Sequence, residues 1–160
     1  MHSEYLRRLY LGNDLAEGRY KVDGRPVALT DIRVPVFAVA TQRDHVSPWR
    51  SVYKTHLLTD TELTFLLASG GHNVGIVSAP GHDVHVHRNY QMATRKSNEH
   101  YLDPEAWVAA TPLHEGSWWP AWQRWLVAHS GKRAVPPAMG APARGYVPLA
   151  DAPGEYVLAA

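Results

Sequence analysis

Val34-Pro35-Val36-Phe37-Ala38-Val39-Ala40 is a nearly continuous apolar run, flanked by Arg33 and by Thr41-Gln42-Arg43-Asp44. A run this short, rich in β-branched residues and without polar alternation, predicts a strand covered on both faces, as in a parallel sheet. Pro35 lies near its start, where a missing N–H costs least. Pro48 suits the first turn of a helix through about Leu58, in which Trp49, Val52, Tyr53, His56 and Leu57 recur at i, i+3, i+4, i+7 and i+8. A second strand is expected in Thr61-Glu62-Leu63-Thr64-Phe65-Leu66-Leu67-Ala68. Strand, loop, helix and strand in that order form a βαβ unit, whose crossover is right-handed in nearly all cases. The fold class is therefore α/β.

Outward from this unit the pattern weakens. Residues 2–15 read as a helix, with Tyr5, Leu6, Leu9 and Tyr10 on one side and Arg7 and Arg8 on the other. Gly12, Gly18 and Gly24 interrupt the polar stretch after it, and residues 26–33 read as an extended connection. Gly81 to Glu99 is polar and reads as a long surface loop, followed by one or two helical turns over 103–109. Ser117 is a fitting N-cap for a helix through about Ala128, with Trp118, Trp122, Trp125, Leu126 and His129 on one side and Gly131 as its C′ residue. Beyond it the chain is rich in proline and glycine and reads as an extended tail. Two strands are too few for a stable parallel sheet, which needs neighbours and cover. Either the chain is the C-terminal part of a larger α/β domain or leans on another chain, or further strands lie hidden in the weak stretches.

Composition narrows the function. Sixteen Lys and Arg against fifteen Asp and Glu give a net charge of +1, which argues against a dedicated nucleic-acid binder. No apolar run approaches the roughly 18–20 residues of a membrane span, and the charged N-terminal residues do not read as a signal peptide, so a cytoplasmic location is expected. Cysteine is absent, which removes disulfides, thiolate metal sites and a cysteine nucleophile from these 160 residues.

Ligands of open α/β sheets gather at the carboxyl ends of strands. The first strand leads into Asp44-His45-Val46-Ser47, the second into Ser69-Gly70-Gly71-His72-Asn73. Parallel neighbouring strands bring Asp44 and His72 side by side. Acid then histidine is the order of the last two members of an α/β-hydrolase triad, in which the carboxylate orients the imidazole that deprotonates a nucleophile. Gly70 and Gly71 allow the sharp turn that aims the imidazole back over the sheet. Spacing alone leaves a second reading open, since an acid in a strand-exit loop often caps a helix. His45 is expected as a supporting hydrogen-bond donor. A Gly-x-Ser/Cys-x-Gly elbow is missing, so the set lacks its attacking member.

His82-x-x-His85-x-His87, with Asp83, has spacing compatible with zinc or nickel. Solvated loop histidines are the simpler reading, and no metal is assigned. The tryptophans at 118, 119, 122 and 125 suit a helix face buried on the sheet better than a stacking platform for sugar or polymer.

Five motifs in series carry a resemblance. They are Tyr5-Leu6-Arg7-Arg8-Leu9-Tyr10-Leu11 with Asn13, Arg43-Asp44-His45-x-x-Pro48-Trp49, Gly70-Gly71-His72-Asn73-x-Gly75-Ile76, Gly116-Ser117-Trp118-Trp119-Pro120-x-Trp122, and Ala152-Pro153-Gly154-x-Tyr156-Val157. With them the chain resembles the C-terminal portion of poly(3-hydroxyalkanoate) synthases, the polymerases of polyhydroxybutyrate. The resemblance implies part of an α/β-hydrolase-like fold, with residues 1–25 leaving a cap region, 26–131 the C-terminal half of the core, and 132–160 the tail. It also implies a Cys-His-Asp acyltransferase that polymerises (R)-3-hydroxyacyl-CoA and releases CoA. Asp44 matches the catalytic aspartate, His72 the catalytic histidine, and His45 the histidine beside the aspartate.

No cofactor is implied beyond the CoA thioester substrate. The partners implied are that substrate, the growing polyester, and the Cys-bearing half of a synthase or another copy of the chain, with the polymer granule surface as a further contact. On this reading the chain is inactive alone. The alternative is a non-catalytic accessory or granule-associated protein.

Overall fold

The structure is a computed structural model, and it describes residues 1–81 and 87–159. In chain order the elements are α1 (His2–Glu4), running into a π-helix (Tyr5–Leu11), β1 (Lys21–Val22), β2 (Arg25–Pro26), β3 (Val36–Thr41), α2 (Trp49–Tyr53), α3 (Thr55–Leu58), β4 (Leu63–Ala68), β5 (Asn89–Arg95), α4 (Pro104–Ala110), β6 (Leu113–Glu115) and α5 (Trp119–Ala128). Residues Met1–Trp125 make one compact unit and Leu126–Ala160 a second. In the second unit, short 3-10 turns at Pro142–Arg144 and Tyr156–Leu158 punctuate otherwise irregular chain.

The βαβ unit forms as its sequence dictates. β3 and β4 are parallel, in register from Val36 opposite Leu63 to Thr41 opposite Ala68. Two further strands join the parallel pair read from the sequence, giving a mixed sheet of four in the order β3-β4-β5-β6. β5 runs antiparallel to β4, and β6 antiparallel to β5. The polar loop expected over 81–99 therefore contains a core strand. The central β4 is buried throughout, whereas β3, at a sheet edge, is half-exposed over its first four residues.

Alternation along the strands builds two cores. Ala38, Ala40, Phe65, Leu67 and Ala93 meet Tyr53 of α2 and Trp107 of α4 on one face. Phe37, Val39, Leu66, Ala68 and Met92 meet Trp118, Trp119 and Ala121 on the other. Phe65 and Leu66 have no exposed surface, and each such side chain contributes about 1.5–3 kcal/mol of burial. Gln91, buried in β5, gives its amide N–H groups to the carbonyls of Val108 and Thr111 at 2.7 Å each, which ties the strand to the end of α4. α4 itself starts as its sequence reads, with Asp103 accepting the Ala106 N–H at 2.9 Å and proline at its first position.

Several boundaries differ from expectation. The N-terminal helix stops at Leu11 rather than near residue 15, and it widens into π-type turns. The Gly12 N–H reaches the Arg7 carbonyl, and Asp14 then pairs with Arg8 and Arg19. The connection at 26–33 is not simply extended, because a β1–β2 hairpin precedes it and a 3-10 turn occupies Leu29–Asp31. The helix over 48–58 is broken at Lys54, where the Thr55 hydroxyl bonds back to the Val52 carbonyl at 2.7 Å, a contact that bends helices. Leu57 accordingly lies 59% exposed rather than in the core. α5 ends without a left-handed glycine, since Gly131 does not have a positive φ.

His56 is buried against the Tyr53 ring, with centroids 4.5 Å apart, and its Nδ1 accepts the Arg95 Nε–H at 3.1 Å. Burial first, and the Arg95 charge second, push its pKa down to about 4. An unfolded chain takes up this proton near pH 6.5, so it binds more protons than the folded one between about 6.5 and 4. Stability is therefore full above that window and falls as pH drops through it, by at most about 3 kcal/mol from this group. Urea unfolding at pH 7 and pH 4.5 should show that loss in the wild type and a much smaller one in His56→Gln. Parallel losses in the two proteins would refute the assignment.

Candidate active site

β3 and β4 end side by side, and the loops beyond them are stitched together. The Gln42 N–H bonds to the Ala68 carbonyl and the Arg43 N–H to the Gly70 carbonyl, both at 2.9 Å. Asp44 and His72, which begin on separate loops, are brought into contact by this seam. His72 Nδ1 lies 2.8 Å from Asp44 Oδ2. The other oxygen, Oδ1, accepts the N–H groups of Val46 and Ser47, each at 2.8 Å.

Asp44 makes a contact of each kind, to backbone and to imidazole. One oxygen holds the loop, and the other faces the imidazole. The turn it holds lies before α2 rather than at the helix end, since Pro48 is the residue preceding α2. The Ser47 N–H first, and the His72 contact second, hold the Asp44 carboxyl below its ordinary value. An ionised carboxylate opposite Nδ1 favours the tautomer with the proton on Nδ1, leaving the Nε2 lone pair available to accept a proton. The His72 side chain is 47% exposed while that of Asp44 is 9% exposed, so the imidazole is reachable and the carboxylate is sheltered.

The turn that aims His72 rests on Gly70, as expected, and on Gly75 rather than Gly71. Gly70 has φ of +104°, a conformation open chiefly to glycine. Gly71 does not have a positive φ, and a Cβ there would meet nothing closer than the Arg43 carbonyl at 3.7 Å. Gly75 is the tight position, for a Cβ there would lie 2.5 Å from Thr41 Cγ2 and 2.8 Å from the Ser69 carbonyl. His45, expected as a supporting donor, is exposed, and the bonds of Asp44 and His72 run to Val46, Ser47 and each other.

Sequence reasoning missed the segment that holds the His72 loop from the far side. Trp118 Nε1 donates to the Gly75 carbonyl and Trp119 Nε1 to the Ile76 carbonyl, both at 2.9 Å, while the Ser117 hydroxyl donates to the Ser78 carbonyl. Ser117 Oγ also accepts the Trp119 N–H at 3.1 Å, which agrees with its reading as a cap. The loop closes at a narrow neck. The Ser69 N–H bonds to the Asn89 carbonyl at 2.9 Å, and the Asn89 N–H returns to Ser69 Oγ at 3.0 Å.

Of the histidine cluster, His82 and His85 lie outside the described residues, as does Asp83, and His87 is exposed. Among the described residues no group of three or more His, Cys, Asp or Glu side chains is arranged to hold a metal ion. Trp118 and Trp119 belong to the buried helix face, with Trp118 only 5% exposed, whereas Trp122 is 39% exposed. No helix among the described residues is long and apolar enough to cross a membrane.

No family model matches the chain. Whole-chain comparison is more informative. The chain is 35% identical over 156 residues to the poly(3-hydroxyalkanoate) polymerase subunit PhaC of Cupriavidus necator, covering 97% of the chain and 25% of that protein. It is 38% identical over 157 residues to the poly(3-hydroxyalkanoate) polymerase of Methylorubrum extorquens, covering 98% of the chain and 24% of the relative. The chain belongs to the poly(3-hydroxyalkanoate) polymerase family. It corresponds to a C-terminal portion of these polymerases, and spans about a quarter of the length of the relatives it matches. PhaC of Rhizobium etli, at 32% identity over 98% of the chain, gives the same picture. The resemblance read from five sequence motifs is therefore upheld along nearly the whole chain.

Proposed function

We propose that the chain is the base-bearing part of a poly(3-hydroxyalkanoate) polymerase with an α/β-hydrolase-like core. In this reading it acts on (R)-3-hydroxyacyl-CoA together with a cysteine supplied from outside these 160 residues. The single observation that carries the reading is the 2.8 Å contact between His72 Nδ1 and Asp44 Oδ2 at the exit of two parallel strands. Family membership supplies the substrate class, and the absence of cysteine from the chain requires the thiol to come from elsewhere.

The steps balance without a metal or a further cofactor. His72 Nε2 takes the proton of the cysteine thiol, and the thiolate attacks the carbonyl carbon of the acyl-CoA thioester. The tetrahedral adduct collapses, the C–S bond to CoA breaks, and the CoA sulfur leaves with the proton returned by His72. The 3-hydroxyl of a second unit or chain end then loses its proton to His72 and attacks the enzyme-bound acyl group. An ester forms, and the cysteine is released. Asp44, held ionised, keeps the imidazole in the Nδ1–H form and stabilises the imidazolium that appears in each half-reaction. In the cell this reading puts the protein in the cytoplasm, at the surface of the polyester it makes.

The test is reconstitution. The chain is mixed or co-expressed with a Cys-bearing upstream portion of a family member, and CoA release from 3-hydroxybutyryl-CoA is followed. Turnover is expected from the pair and not from either part alone. A stably assembled pair that releases no CoA would overturn the reading.

A further inference from the structure

The His72 loop is a poor candidate for anchoring by apolar burial. Val74, Ile76 and Val77 are 60%, 39% and 62% exposed, so its aliphatic side chains face largely outward. Within the loop, the Gly75 N–H bonds to the Gly71 carbonyl and the Val77 N–H to the Asn73 carbonyl, which shapes the turn but does not fasten it to the sheet. Fastening comes from outside. Three consecutive residues, Ser117, Trp118 and Trp119, donate side-chain hydrogen bonds to the carbonyls of Ser78, Gly75 and Ile76. Their own footing is firm, because Trp118 is 5% exposed and both rings pack in the core beneath Leu66 and Ala68 of β4. The clamp therefore refers the loop to the same strand from which it springs.

We infer that the indole N–H groups of Trp118 and Trp119 are positioning residues, which hold the His72 loop so that Nδ1 stays opposite Asp44. This rests on the function proposed above only for its consequence in catalysis, since the positioning itself exists in the isolated chain. Neither indole touches the reacting atoms. Each acts through a loop carbonyl three or four residues beyond His72. Phenylalanine at either position keeps much of the ring and removes the donor, leaving a carbonyl unpaired.

The measurement is proton–nitrogen NMR of the imidazoles in the full 160-residue chain, which needs no substrate and no second polypeptide. In the wild type, His72 is expected to show a protonated Nδ1 whose hydrogen exchanges slowly with water. In Trp118→Phe and in Trp119→Phe that exchange should be at least tenfold faster, with the thermal midpoint of Trp119→Phe close to wild type. Trp119 is the less buried of the two, so its variant answers the question even where Trp118→Phe folds poorly. Unchanged Nδ1–H exchange in a folded Trp119→Phe would overturn the inference. Failed reconstitution of CoA release by the wild-type chain would instead sink the proposed function, and would leave the NMR result standing.

Discussion

Asp44→Asn is expected to abolish most CoA release in the reconstituted polymerase, by about 10³–10⁴-fold, while leaving the chain folded. Asparagine is nearly isosteric with aspartate. Its carbonyl oxygen can take over the two bonds from Val46 and Ser47 that Oδ1 now accepts, so the turn before α2 survives. The amide NH2 then faces His72 Nδ1 at the position where Oδ2 stands 2.8 Å away. A donor there can be met only by an unprotonated Nδ1, which forces the proton onto Nε2 and removes the lone pair to which the proposed mechanism assigns the cysteine proton. The imidazolium also loses its counter-charge. Steady-state CoA release, with circular dichroism as the folding control, reads both halves of the prediction. A rate within tenfold of wild type would show that Asp44 only holds its loop, and the candidate pair would then lose its meaning as a catalytic unit.

Gly75→Val should be among the most damaging single changes in the chain, costing about 3 kcal/mol or more. The constraint is space rather than backbone conformation, because Gly75 has no positive φ. Even a single methyl would sit 2.5 Å from Thr41 Cγ2 and 2.8 Å from the Ser69 carbonyl. Neither neighbour is free to yield. Thr41 is 1% exposed at the end of β3, and Ser69 sits at the neck that joins β4 to β5. The loop has to lift, which breaks the Trp118 bond to Gly75 and carries His72 away from Asp44. Gly71→Ala is the control, four residues earlier in the same loop, and with its nearest contact at 3.7 Å it should be close to neutral. Urea midpoints of the two variants test the contrast, and comparable losses in both would show that the loop is strained generally rather than locked at one point.

The strand–helix–strand unit was legible because β4 is apolar at every buried position but Thr64, and because β3 carries no charge at all. β5 was not, and Gln91 shows why. An amide at a buried position interrupts the alternation, and only its two bonds to the end of α4 make it acceptable there. β6 is three residues long and wholly exposed, too brief for any period to declare itself. At the site, Asp44 and His72 could be named from strand order and family motifs. Their distance could not, because it depends on the seam between loops, and backbone bonds such as Arg43 to Gly70 leave no mark on residue choice. The Gly-Ser-Trp-Trp segment was visible as a motif and as a helix start. Its bonds to the loop were hidden, since they run to carbonyls, which every residue possesses. Gly75 carried a usable signal as a glycine inside an otherwise ordinary turn, but nothing in the sequence says that Thr41 is what it must avoid.

The neck between Ser69 and Asn89 has an evolutionary corollary. Because β5 returns beside β4, everything strung between those two residues departs from and lands on one point of the scaffold. A loop whose ends are already pinned grows at little entropic cost, about 0.6 kcal/mol for each doubling in length. Such an excursion can therefore be lengthened, trimmed or exchanged without altering a single rung of the ladder below it.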